Sequence, residues 1–108
     1  MEITQAEEAD VPKIMKLFLK IYGPDYPFKK FYDPMWLTKS VYSDDNIFLV
    51  AKEKNNLIGT GTVYLTAGGF SDLIGEFGRL VVDPGFGRKG AGSEIMNGLM
   101  DSVSNMIQ

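Results

Sequence analysis

Cysteine and histidine are both absent from the 108 residues. Without a thiol there is no disulfide, no thiolate metal site and no cysteine nucleophile. Without an imidazole there is no Ser-His-Asp triad and no histidine ligand, so proton transfer falls to Glu, Asp, Tyr, Lys or water. A dense carboxylate cluster is missing as well, so no metal is expected. No apolar run reaches membrane-spanning length, and the N-terminus lacks the basic and apolar regions of a signal peptide, which predicts a cytoplasmic protein with no membrane partner. Surplus positive charge is also lacking. The net charge is −3, which argues against a nucleic-acid partner. What is present is 44% hydrophobic and 23% charged residues, the composition of an ordinary folded domain, read here as a single domain over residues 1–108.

The chain opens on a short strand over Met1–Gln5. Asp10 and Pro12 then suit a helix start, and Val11, Ile14, Met15, Phe18, Ile21 and Tyr22 recur at three- and four-residue spacing, so an amphipathic helix is predicted up to Gly23-Pro24. Tyr26, Phe28, Phe31 and Tyr32 crowd the following loop; they are either packing residues or a substrate-facing wall. Asp33-Pro34 reads as a cap and first-turn proline for a second helix containing Met35, Trp36, Leu37 and Val41. Strands Ile47–Lys52 and Leu57–Thr66 flank the turn Lys54-Asn55-Asn56 and form an antiparallel hairpin. Gly59 and Gly61 would weaken the second of these strands unless something passes close to its backbone or a bulge is needed. After the turn Ala67-Gly68-Gly69, a third strand is predicted over Leu73–Asp83, and a last helix from Gly90 or Ala91 to about Met106. The class is therefore α+β, or mixed α/β: an antiparallel sheet of three to four strands flanked by helices.

The third strand, the glycine-rich basic turn Gly85-Phe86-Gly87-Arg88-Lys89-Gly90 and the last helix together make a phosphate-binding arrangement. First-turn N–H groups of a helix have no partner within it, glycine lets an anion approach, and Arg88 and Lys89 add full charges. The turn matches the dinucleotide pattern G-x-G-x-x-G, but that pattern belongs early in a βαβ unit with an acidic residue after a second strand. A Walker A loop is ruled out, because Ala91 stands where that loop requires lysine.

The run Leu80-Val81-Val82-Asp83-Pro84 followed by Arg88-Lys89-Gly90-Ala91-Gly92 resembles motif A of the GNAT acetyltransferase superfamily, [Q/R]-x-x-G-x-[G/A]. Gly90 and Gly92 fit its last two fixed positions, and Gly87 stands where the family has Gln or Arg. The element order β-α-α-β-β-β-α also resembles the first part of that fold. The resemblance implies acetyl-CoA as cosubstrate, with the backbone around Leu80, Val81 and Val82 pairing with its pantetheine arm. The turn and helix start, Gly87, Arg88, Lys89, Gly90, Ala91, Gly92 and Ser93, would hold its pyrophosphate. It further implies a small-molecule or protein amine as acceptor, with Glu76 as candidate general base. The bland alternative for Glu76 is an ordinary strand residue or a partner for Arg79, although the two fall on opposite faces of a regular strand unless a bulge near Gly78 intervenes. Asp72 and Asp83 read as turn residues, and Ser93 as helix-start chemistry.

Members of that superfamily continue past the cofactor helix into further strands, so the resemblance implies a domain truncated after that helix and lacking the C-terminal strands. An open edge on the 72–83 strand and an uncovered apolar helix face would then favour a homodimer, or completion by further residues of a longer polypeptide. Two functions stay open: an acetyl-CoA-dependent N-acyltransferase, or its N-terminal half, and a non-catalytic CoA-binding or protein-interaction module.

Overall fold

The structure, a computed structural model, describes residues 1–43, 46–67, 73–77 and 80–107, with the side chains of 64–67, 73–77, 87–89, 106 and 107 left aside. The elements run β1 (Glu2–Gln5), α1 (Val11–Tyr22), α2 (Pro34–Tyr42), β2 (Asn46–Glu53), β3 (Asn56–Ala67), β4 (Leu73–Phe77), β5 (Val81–Val82) and α3 (Ala91–Ile107). Short 3-10 turns precede α1 (Glu8–Asp10), α2 (Lys29–Tyr32) and α3 (Pro84–Lys89). The mixed α/β architecture is the one expected: an antiparallel path β1-β2-β3-β4, with β5 also paired to β3.

Strand alternation sends β2 into two cores. Phe48 and Val50 join Val11, Ile14, Leu17 and Phe18 of α1 and Leu37 and Val41 of α2 on one face. Ile47, Leu49 and Ala51 join Val63 of β3 and Ala91, Ile95 and Leu99 of α3 on the other. The sheet is thus a middle layer between α1–α2 and α3. The aromatic loop resolves towards packing. Tyr26 and Phe31 are buried, Phe31 stacks on Phe18 at 4.4 Å between ring centroids, and Tyr26 stacks on Tyr22 at 4.3 Å. Only Phe28 of that group is strongly open to solvent, at 45%.

The cap of α2 follows expectation: Asp33 Oδ1 accepts from the amides of Met35 (3.0 Å) and Trp36 (3.4 Å). The start of α1 differs. Asp10 has helical backbone angles and does not cap α1 with its side chain. Its carboxylate turns back to accept from the Glu7 amide (2.9 Å) and from Lys52 Nζ (2.9 Å). The physical reason is the preceding 3-10 turn, which already places Asp10 inside the helical path. The hairpin turn is as expected, with Lys54 in the left-handed region at φ 57°.

Candidate functional site

The predicted third strand is two pieces. β4 pairs with β3 from Ala67↔Leu73 to Val63↔Phe77, and β5 pairs with it at Thr60↔Val81 and Gly59↔Val82. Between Val63↔Phe77 and Thr60↔Val81, β3 supplies two residues (61 and 62) and the opposite side three (78, 79 and 80). The register therefore slips by one residue, as across a β-bulge, a device that takes a residue out of the ladder and re-aims the strand. A continuous strand over Leu73–Asp83 is corrected accordingly, and Leu80 lies outside both pieces. Among the described residues, no strand covers the outer edge of β4 or β5.

Thr62 sits on β3 opposite this slip. It is only 2% exposed, and among the described residues its hydroxyl has no hydrogen-bond partner. Thr60, one step along the same face, donates its hydroxyl to the Leu49 carbonyl at 3.0 Å. A buried hydroxyl left unmatched is costly, and each such group in a folded protein calls for an explanation.

Asp83 fixes what comes next. Its amide donates to the Ile58 carbonyl (2.7 Å), prolonging the pairing of β5. Its Oδ1 accepts from the Gly85 amide (2.9 Å), which starts the 3-10 turn with Pro84 in its first position. Its Oδ2 accepts from Lys20 Nζ of α1 at 2.6 Å. The carboxyl is held below the ordinary range by the Lys20 ammonium first and the Gly85 amide second, against the opposing pull of burial. Asp83 is thus the turn residue expected, and also a cross-link between α1 and the glycine turn. Sequence alone gave no sign of that link, since Lys20 and Asp83 are 63 positions apart.

The glycine turn is not an open loop. Pro84–Lys89 winds as a 3-10 helix and hands over to α3 through Gly90, at φ 74° and ψ 18°. That left-handed step is one only glycine takes without strain. Glu94 makes the first bond inside α3, its amide donating to the Gly90 carbonyl (3.0 Å), so Ala91, Gly92 and Ser93 supply the first-turn amides. Val81 is buried, Val82 half-buried and Leu80 40% exposed.

The helix is seated by two missing side chains. A Cβ at Gly61 would lie 2.7 Å from Ile95 Cγ2 and 3.1 Å from Leu99 Cδ1. At Gly59 it would lie 2.9 Å from Ile95 Cδ1 and 3.2 Å from the Val81 carbonyl. What passes close to the β3 backbone is therefore α3, and its N-terminus is carried to the end of β5.

A family model described as "Acetyltransferase (GNAT) family" matches residues 11–106. The chain belongs to the GNAT acetyltransferase family. Glucosamine-6-phosphate N-acetyltransferase from Arabidopsis thaliana superposes on this GNAT domain with a TM-score of 0.77 at 23% identity, covering 97% of this chain and 75% of the other. A PaiA N-acetyltransferase from Thermoplasma acidophilum, solved with coenzyme A, gives 0.79 at 18% identity over 97% and 72%. An aminoglycoside acetyltransferase from an uncultured soil metagenomic sample gives 0.79 at 19% over 97% and 70%. Comparison with curated protein sequences gives no match. These structures share the fold, and family membership supports acyl transfer as the general chemistry.

Within the GNAT domain, β5, the 3-10 turn and the start of α3 bring Leu80, Val81, Val82, Gly87, Gly90, Ala91, Gly92 and Ser93 into one continuous stretch of backbone, together with the backbone of Arg88 and Lys89. Glu76 holds the register position opposite Tyr64, on β4. Arg79 and Asp72 lie outside the described residues. Among the described residues no helix is long and apolar enough to cross a membrane.

Proposed function

We propose that this GNAT domain takes part in acetyl transfer from acetyl-CoA to an amine, a small molecule or a protein group. The observation that carries the reading is the combination of a one-residue register slip with an uncovered strand edge that leads, through Gly90, into the first turn of α3. The donor fits these residues. The free edge at Leu80–Val82 offers backbone donors and acceptors to an extended amide-bearing chain, and the α3 start offers amides and a positive helix end to a pyrophosphate. Among the described residues, a Cβ at Gly92 would touch only Val82 at 3.6 Å, an ordinary contact, which leaves room for a group from outside the chain. Arg88 and Lys89 would add charge where Gly87 has lost the family's Gln or Arg.

Acetyl-CoA supplies an acetyl group activated as a thioester. The chain's part is to orient and to move protons. A backbone amide within Leu80–Val82 would stabilise charge developing on the carbonyl oxygen. Glu76 is the proposed general base, taking a proton from an acceptor ammonium directly or through water, with Thr62 as a second polar group near the slip. The outer edge of β4 and β5 would be covered by a further strand, from a second copy or from further residues of the polypeptide.

Calorimetric titration of acetyl-CoA, with the mass in solution determined on the same sample, tests the binding part. Saturable binding that weakens by about tenfold or more in Arg88→Ala/Lys89→Ala is expected, since each charged contact to a phosphate is a strong one. Thiol release with candidate amines tests the chemistry. Glu76→Gln should lower turnover by roughly a hundredfold or more while leaving acetyl-CoA binding in place. Binding without turnover for any amine, in an assembly that holds acetyl-CoA, would leave the domain as a CoA-binding module.

A further inference from the structure

A separate cavity of about 390 Å³ opens between α1, the β2–β3 turn and the 3-10 turn. Lys13, Lys16 and Lys20 of α1 line it, with Asn55 of the hairpin turn and Asn56 at the start of β3 opposite and Asp83 and Phe86 on the third side. Spacings of three and four residues put the three lysines on one face of α1, which is unfavourable for like charges unless something compensates. Asp83 is the one carboxylate among the described lining residues, and Lys20 already neutralises it at 2.6 Å. Among the described residues neither Lys13 nor Lys16 has an ion pair or hydrogen bond. The chain is otherwise acidic, at −3, so this concentration of cations over a hollow is a local exception.

We propose that this cavity is an anion site for a phosphoryl group, on the α1 side of the 3-10 turn and distinct from the first-turn amides of α3. A tetrahedral dianion can be shared by two or three ammonium groups, whereas a single carboxylate would neutralise only one of them. The Asn55 and Asn56 amides add neutral donors that orient the oxygens. A hollow of this size suits a small phosphorylated molecule better than an acidic polymer lying on a flat surface. The site also bears on the glycine turn. An anion that draws Lys20 towards itself competes with Asp83, the residue whose other oxygen holds the Gly85 amide. Occupancy is therefore coupled to the conformation of the turn through one ion pair.

The phosphoryl group has two possible sources, a free phosphorylated metabolite or the 3′-phosphate of the CoA molecule itself. The experiment separates them. The full chain is titrated with inorganic pyrophosphate at constant ionic strength, following the backbone amide resonances of residues 13, 16, 55 and 56, in the wild type, in Lys13→Gln/Lys16→Gln and in Arg88→Ala/Lys89→Ala. Saturable shifts at these residues are expected in the wild type and in Arg88→Ala/Lys89→Ala. In Lys13→Gln/Lys16→Gln the affinity should fall by about tenfold, as expected for two charges removed from a partly solvated site. The same resonances are then followed with CoA and with dephospho-CoA. Movement with CoA alone identifies the 3′-phosphate as the occupant, and movement with neither identifies a free phosphorylated ligand. Shifts that merely track salt, or that are equal in Lys13→Gln/Lys16→Gln, overturn the site. Acetyl-CoA affinity measured on the same variants keeps this outcome distinct from a failure of the acyl-transfer reading, which would show as lost binding in Arg88→Ala/Lys89→Ala or as none in the wild type.

Discussion

The two faces of the sheet are built by opposite means. Against α1 and α2 the space is filled with rings: Phe18, Tyr26, Phe31 and Phe48 are buried, and Trp36 meets Phe31 edge-on at 5.4 Å. Against α3 the space is removed instead. Gly59 and Gly61 carry no side chains, and Ile95 and Leu99 rest on the strand backbone. Aromatic packing gives area and therefore stability. Close helix-to-backbone packing gives position, because the helix has little room to slide once its side chains seat in a glycine gap. The face that carries the α3 N-terminus is the one built for position.

The comparison predicts different failures on the two sides. Phe18→Ala should give the largest loss, about 3–5 kcal/mol, because Phe18 is fully buried and stacked on Phe31. Urea unfolding measures it. Any acetyl-CoA affinity should survive in the fraction that stays folded, since Phe18 belongs to the other face. Gly61→Ala should cost less, roughly 1–3 kcal/mol from overpacking against Ile95 and Leu99. Its effect on acetyl-CoA binding should be out of proportion, because the new methyl group displaces α3 itself. Pairing it with Ile95→Ala sharpens the point: the double variant should lose less than the sum of the two single losses. Strict additivity would mean that the helix is not seated on Gly61.

The face built for stability was also the easier one to read from the sequence. Val11, Ile14 and Phe18 announce α1 by their spacing, Asp33-Pro34 announces α2 by its capping chemistry, and Lys54-Asn55-Asn56 announces the hairpin. Each is a local rule. Gly59 and Gly61 signalled that something lay close to β3, without saying what, since Ile95 and Leu99 come more than thirty positions later. The register slip was harder still. A single extra residue among 78–80 leaves the apolar alternation on both sides intact, so Leu73–Asp83 reads as one strand until its pairing with β3 is known. Gly90 and Gly92 were legible as the glycines of a helix start, and they do stand at the start of α3. Thr62 was not, because a strand threonine looks the same whether or not its hydroxyl finds a partner.

Lys20 and Asp83 join the two faces, the lysine on α1 and the carboxylate at the turn leading to α3. Breaking this pair should have the smallest effect on stability, under about 1 kcal/mol, because the lysine side chain is 61% exposed and solvent screens the attraction. Its pH dependence is more telling than its size. Asp83 has its pKa lowered in the folded chain, so the pair contributes in full above the unfolded carboxylate pKa, near 4, and is lost as pH falls through the folded value. The stability gap between wild type and Lys20→Met should therefore be constant at neutral pH and close on acidification below about pH 4. Denaturation followed across that range measures it. A gap that persists unchanged in acid would mean that the lysine stem, by packing on α1, joins the faces rather than its charge. A gap that closes would make Asp83 the electrostatic hinge through which α1 holds the turn and, behind it, the start of α3.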